Sequence, residues 1–173
     1  MDTNELLTIL ALILGPILAI QVQKFIEKRS EKRVRKMQIF STLMATRAIP
    51  LAPLHVEALN RIDIDFYDDK KVKEAWKALL DNFGHYPTDP KATDFSIQLA
   101  ACTEKSKDLL TELLYEMACL LGYNYDKVHL KRNTYYPKGH GDFEAENYQM
   151  RQAFLKILAG ETSFPIRVVD VKK

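Results

Sequence analysis

The segment Leu6-Leu7-Thr8-Ile9-Leu10-Ala11-Leu12-Ile13-Leu14-Gly15-Pro16-Ile17-Leu18-Ala19-Ile20-Gln21-Val22 is almost free of polar side chains, and the basic stub Lys24–Lys36 follows it directly. With Gln23–Ile26 added, the run reaches about 20 residues, the length a helix needs to cross a hydrocarbon core of ~30 Å. The Lys24 stem can lie along the apolar zone while its amine reaches the headgroups. A buried core helix is the competing reading. The run is apolar on every side and sits beside a charge cluster, and both features favour a span. A cleaved signal peptide fits less well. Only Asp2 and Glu5 carry side-chain charge before the run, where a leader needs bases, and Gln21-Val22-Gln23-Lys24 is no small-residue cleavage site.

Lys24, Lys28, Arg29, Lys32, Arg33, Arg35 and Lys36 lie on one side of the run, against Glu27 and Glu31, and no Lys or Arg lies on the other. The positive-inside rule then predicts a single-pass protein of the cell inner membrane, N-terminus outside and C-terminal part cytoplasmic. Anionic lipid headgroups are the expected partner of the Lys24–Lys36 stub. Ala11, Gly15 and Ala19 recur every fourth residue on one helix face, where small side chains let two spans approach, so a homodimer is one expectation. Pro16 is a candidate kink.

The chain has 173 residues and a net charge of +2. The stub alone contributes about +5, so the part from Met37 onward is close to neutral. It lacks the basic face that nucleic-acid binding would require. Cys102 and Cys119 are the only cysteines. On one helix they stand too far apart for a disulfide, which suits a reducing compartment.

These observations predict a mostly α fold: a transmembrane anchor over 1–26, a basic juxtamembrane helix over 27–36, and a helical cytoplasmic domain over 37–173. Val22, Ile26, Met37, Phe40 and Met44 trace a stripe along a first helix that Ile49-Pro50-Leu51-Ala52-Pro53 stops. Pro53 opens a second, with Val56, Leu59 and Ile62 on one face. Arg61–Tyr67 alternates Ile62, Ile64 and Phe66 with Asp63 and Asp65. It reads either as a strand or as a helix end with an extended connection. Asp68 or Asp69 caps a third helix carrying Val72, Ala75, Trp76, Leu79, Leu80 and Phe83, with Gly84 as its left-handed stop. A long helix from about Asp94 to Leu121 presents Phe95, Leu99, Cys102, Leu109, Leu113, Met117 and Leu120 inward, and Gly122 ends it. A last helix starts near Asp142, buries Phe143, Met150, Phe154, Ile157 and Leu158, and closes at Gly160. The tail Ser163–Val171 is β-prone and could form a short strand, leaving one short strand pair possible, or lie along the bundle.

Tyr135-Tyr136-Pro137-Lys138-Gly139-His140-Gly141-Asp142-Phe143-Glu144-Ala145-Glu146 is the best candidate site. His140 could exchange protons, with Tyr136 and Lys138 as further catalytic candidates, and Lys138, Gly139, Gly141 and Asp142 could bind an anion at a helix entrance. The plainer reading makes the glycines a turn and Asp142 a helix cap, with Glu144 and Glu146 complementing the dipole. His140, Asp142, Glu144 and Glu146 do not form a metal motif, and no metal or cofactor is expected. A second cluster joins Glu57, Asp63, Asp65 and His85, with the two aspartates on one strand face. Nucleophile elbows, Walker loops and dinucleotide fingerprints are absent.

Leu59-Asn60-Arg61-Ile62-Asp63-Ile64-Asp65-Phe66, Val72–Trp76, Tyr136-Pro137-Lys138-Gly139-His140 and Ile157-Leu158-Ala159-Gly160 resemble a family of small bacterial and prophage-associated proteins with one N-terminal membrane segment, classified as a domain of unknown function. The resemblance spans nearly the whole chain and implies a bacterial inner-membrane setting, with phage or host-defence roles in view. It carries over no functional residue. The expected function is a membrane-tethered interaction or regulatory module with an unidentified protein partner. The alternative is a membrane-bound hydrolase or nucleotide-binding enzyme using the Tyr136–Glu146 loop.

Overall fold

The computed structural model describes residues 3–164 and 166; the side chains of 4–11 and 13 lie outside that description. Among the described residues seven helices follow in order: α1 (Thr3–Thr46), α2 (Pro53–Asn60), α3 (Ile62–Asp65), α4 (Lys70–Gly84), α5 (Phe95–Leu121), α6 (Lys127–Arg132) and α7 (Lys138–Leu158). The mostly α expectation holds, with no strand among the described residues. Two compact units result, Met1–Thr134 and Tyr135–Lys173.

In the first unit, the C-terminal end of α1, the short α2–α3 corner, α4 and the second half of α5 enclose one core. Ile39, Phe40 and Leu43 enter it from α1, Ala58 and Leu59 from α2, and Val72, Trp76 and Leu79 from α4. Leu113, Leu114, Met117, Ala118 and Leu121 complete it from α5, with Leu130 from α6. A fully buried side chain of this size contributes about 1.5–3 kcal/mol, so this cluster dominates the stability of the unit. The α5 seam lies closer to the helix C-terminus than predicted. Leu120 is largely exposed, while Leu114, Ala118 and Leu121 turn inward. Likewise His55, not Val56, enters the core from α2.

Arg61–Tyr67 corrects the strand reading. Ile62 and Phe66 are both 0% exposed while Ile64 is 76% exposed. Residues four apart share a helix face and residues two apart do not, so the core takes this run at helical period. The apparent alternation arises because Ile64 is an exposed apolar residue lying between two buried ones. The β-prone tail Ser163–Val171 lies largely outside the described residues, and Ser163, Phe164 and Ile166 are not in a strand.

Two glycines end helices as predicted. Gly122 has φ 86° and Gly160 φ 75°. Tyr123 N donates to Ala118 O at 2.8 Å and Glu161 N to Lys156 O at 2.9 Å, the paired closures that left-handed C-terminal glycines permit. Gly84 differs from expectation: it is the last residue of α4 and has no positive φ.

Buried polar groups are locally satisfied. Asn82 donates to Cys102 O at 3.2 Å and Ser106 Oγ at 2.9 Å, tying α4 to α5. His55, 1% exposed, shares a 2.8 Å bond between its Nδ1 and Thr46 Oγ1. Burial lowers its pKa from the ordinary 6.5 because the charged ring would lose its hydration.

Two outcomes are expected. Phe66→Ala should cost about 3–5 kcal/mol and Ile64→Ala no more than about 0.5 kcal/mol, read by urea denaturation with Trp76 fluorescence; equal costs would restore the strand alternative. For His55 the folded state binds fewer protons than the unfolded chain once pH drops below the unfolded value. Stability should therefore decline on acidification through 6.5, and His55→Gln should flatten that limb of the pH profile.

Candidate functional site

The basic stub divides into two parts. Arg35 Nε lies 3.1 Å from Asp65 Oδ1, and Arg61 reaches the other oxygen of the same carboxylate at 3.2 Å. Lys36 pairs with Asp69, and both side chains are mostly buried. Lys32 meets Asp68 at 3.4 Å in solvent. Arg33 donates to Leu121 O at 2.8 Å and so satisfies a carbonyl at the C-terminal end of α5. The half of the stub from Lys32 onward is thus stitched to the α3–α4 corner and to α5. Lys24, Lys28 and Arg29 make no ion pair among the described residues, and Arg29 lies over the Phe25 ring at 5.2 Å.

The sequence reading took the whole stub as membrane flank and missed this seam. A signal was present: Asp65, Asp68 and Asp69 form an acidic group whose charge matches a basic helix. The same seam explains why Asp69, the residue at the start of α4, makes no capping bond there: its carboxylate is held by Lys36.

The predicted second cluster is not assembled as a strand face. Asp65 is held by Arg35 and Arg61, and Asp63 accepts from Trp76 Nε1 at 3.2 Å. His85 bonds Asp81 O through Nδ1 at 2.7 Å, one turn back on α4. Glu57 is exposed on α2. Among the described residues no three His, Cys, Asp or Glu side chains converge as metal ligands would.

In the second unit, α7 starts at Lys138, earlier than Asp142. Pro137, in extended conformation, is its N-terminal boundary residue, and His140 N donates to Pro137 O at 3.0 Å. Gly139, His140, Gly141 and Asp142 therefore belong to the helix, and Asp142 does not cap it. Beside this start the Tyr136 hydroxyl donates to Glu144 at 2.7 Å, and its ring lies 6.3 Å from that of His140. A Cβ at Gly141 would touch the Tyr136 ring at 3.4 Å, close to ordinary van der Waals contact. The hydrogen bond to Glu144 raises the Tyr136 pKa above its ordinary 10.0. His140 and Lys138 are exposed.

Around α6 a ladder of charges joins α5: Lys127 to Glu112 at 2.6 Å and Lys131 to Glu104 at 2.9 Å and Asp108 at 2.5 Å. Arg47 reaches Thr134 Oγ1 at 2.8 Å and Asn133 O at 2.6 Å. Tyr123, Tyr125 and His129 continue a file of rings from Phe40, with successive centroids about 6 Å apart. This part of the tyrosine-rich segment is a structural clasp. Shallow grooves run along the first half of α5 and beside Val34, and neither includes a candidate catalytic residue. Cys102 and Cys119 are both free on α5, and Cys119 is exposed rather than packed.

In the predicted span-pairing face, Gly15 has open space around it and Ala19 is exposed, while the Ala11 side chain lies outside the described residues. Among the described residues no helix is long and apolar enough to cross a membrane. Much of the predicted span, at 6–11 and 13, falls on side chains outside that set.

The features on hand define a small helical-bundle protein built on one long N-terminal helix. The chain belongs to a family of unknown function, DUF6680, whose model matches residues 1–173. No match was found among curated proteins or among solved structures. The family match carries no statement of source, phage association or membrane attachment.

The seam makes a contrast that denaturation can read. Asp65→Ala, which leaves Arg35 and Arg61 without their carboxylate, should cost about 1–3 kcal/mol. Asp68→Ala, at an exposed pair, should cost no more than about 1 kcal/mol.

Proposed function

We propose that the protein is a membrane-tethered interaction module, with the helical domain on the cytoplasmic face and the N-terminus outside. The observation that carries this reading is the surface of α1 ahead of the core. Leu12, Leu14, Ile17, Leu18, Ile20, Val22, Phe25 and Ile26 are all exposed on a helix that runs without a break to Thr46. An apolar surface on this scale is costly in water and favours burial in lipid or against a partner. The run of bases at its C-terminal edge favours lipid, because Lys and Arg gather at that edge and none lies at the other.

The seam at Arg35, Lys36, Asp65 and Asp69 refines the proposal. Lys24, Lys28 and Arg29 are the bases left to meet anionic headgroups, each worth about 1 kcal/mol near such a surface. The remainder of the stub belongs to the domain. Because α1 supplies both the tether and Ile39, Phe40 and Leu43 of the core, no flexible linker separates them. The tether would hold the domain close to the headgroups and restrict which of its faces a partner can reach. The bacterial inner membrane, and a phage or host-defence setting, rest on the family resemblance alone.

Deleting residues 1–23 is expected to move the protein from the membrane pellet to the soluble fraction; unchanged sedimentation would refute a sole N-terminal anchor. With Cys102 and Cys119 replaced by serine, a cysteine introduced at Asn4 should react with an impermeant maleimide on intact cells. One at Lys91 should not, and the reverse pattern would overturn the orientation.

A further inference from the structure

We infer that α7 is a self-association helix that pairs in parallel with α7 of a second copy of this chain. The inference is independent of the membrane reading, since it rests on the surface pattern of α7 alone.

No residue of α7 is fully buried. Phe143, Met150 and Phe154, predicted to face a core, are each more than half exposed, and Ile157 is half-buried. Phe143, Asn147, Met150, Phe154 and Ile157 follow one another at intervals of four, three, four and three residues. That is the a/d rhythm of a two-stranded coil, with Asn147 and Phe154 at a and Phe143, Met150 and Ile157 at d. A strictly apolar stripe would accept many occupants. Asn147 narrows the choice. In a parallel in-register pair it meets its own copy, and the two amides can satisfy each other, whereas against an apolar surface the amide would be left unpaired.

Charge complementarity selects the same occupant and sets its direction. Glu146 occupies a g position and Arg151 the e position five residues later. In a parallel pair, g of one helix faces the following e of the other, so Glu146 of each copy meets Arg151 of its mate, twice by symmetry. Neither side chain makes an ion pair among the described residues. An antiparallel pair using the whole seam would instead bring the two Arg151 side chains together. One heptad before Asn147 the same helix position is His140, so the motif singled out from the sequence lies at the head of this seam.

The test uses the full chain, with Cys102 and Cys119 replaced by serine, in the membranes or lysate of the cells that express it. Phe143→Cys should give a disulfide-linked dimer under copper phenanthroline. No dimer, or a dimer only when Phe143→Cys is mixed with Ile157→Cys, would overturn the parallel pair. In the Phe143→Cys background, Glu146→Arg or Arg151→Glu should each lower the crosslink yield roughly threefold to tenfold. The double exchange, Glu146→Arg with Arg151→Glu, should restore it. Failure of the double exchange to recover the yield, with helicity retained by circular dichroism, would equally refute the pairing.

Discussion

The packing of Ile39, Phe40 and Leu43 of α1 into the core is the contact on which the arrangement of the first unit depends, and the carboxylate of Asp65 between Arg35 and Arg61 holds α1 beside it. That carboxylate ties α1 to the α2–α3 corner. Over the next two turns of α1 Ile39, Phe40 and Leu43 enter the core, and a different rotation of the helix would turn them to solvent. Lys36 with Asp69 reinforces the setting from the start of α4. Exposed ion pairs seldom contribute measurably to stability. Here the aspartate side chain is only 9% exposed, so loss of its partners would leave a largely desolvated charge. The seam also marks where the core ends. The apolar surface of α1 before Lys32 has no place in it.

Much of the helical order was legible because it rests on strong local signals. Pro53 at the start of α2 and the left-handed glycines 122 and 160 are backbone constraints that tertiary packing rarely overrides. Val72, Trp76 and Leu79 keep one face throughout α4. The misreadings have a common cause, which is that burial is decided by partners far away in sequence. Ile64 looks like Ile62 in composition yet faces water. The stub Lys24–Lys36 looks uniform, and only the fold shows that Asp65, Asp68 and Asp69 take up its second half. Asp142 had the composition of a helix cap, but α7 begins at Lys138, directly after Pro137, whose ring fixes φ ahead of the helix.

The candidate site changes character for the same reason. The glycines around His140 suggested a loop that could cradle a ligand, whereas their place in the fold is the opening of a helix with an unpartnered apolar stripe. Glu57, Asp63, Asp65 and His85 suggested clustered carboxylate chemistry. Asp63, Asp65 and His85 are instead occupied with local structural bonds. Two exposed apolar surfaces are left over: the N-terminal part of α1 and the stripe of α7. In the proposed tether they have complementary tasks, one holding the domain at a bilayer and the other bringing two copies together. Parallel pairing suits that setting, since two chains anchored in one membrane already point the same way.

The most direct measurement of the central claim is a spin-label accessibility scan along α1 of the full chain in bilayers containing anionic lipid. Labels placed singly at Leu14, Ile17, Ile20, Lys24, Lys28 and Lys32 would be read against oxygen and against a water-soluble nickel complex. The account predicts that Leu14, Ile17 and Ile20 are reached by oxygen and not by nickel, that the order reverses between Lys24 and Lys28, and that Lys32 is open to water. Nickel access along the whole series would contradict it, and would assign the apolar surface of α1 to a protein partner instead of a membrane.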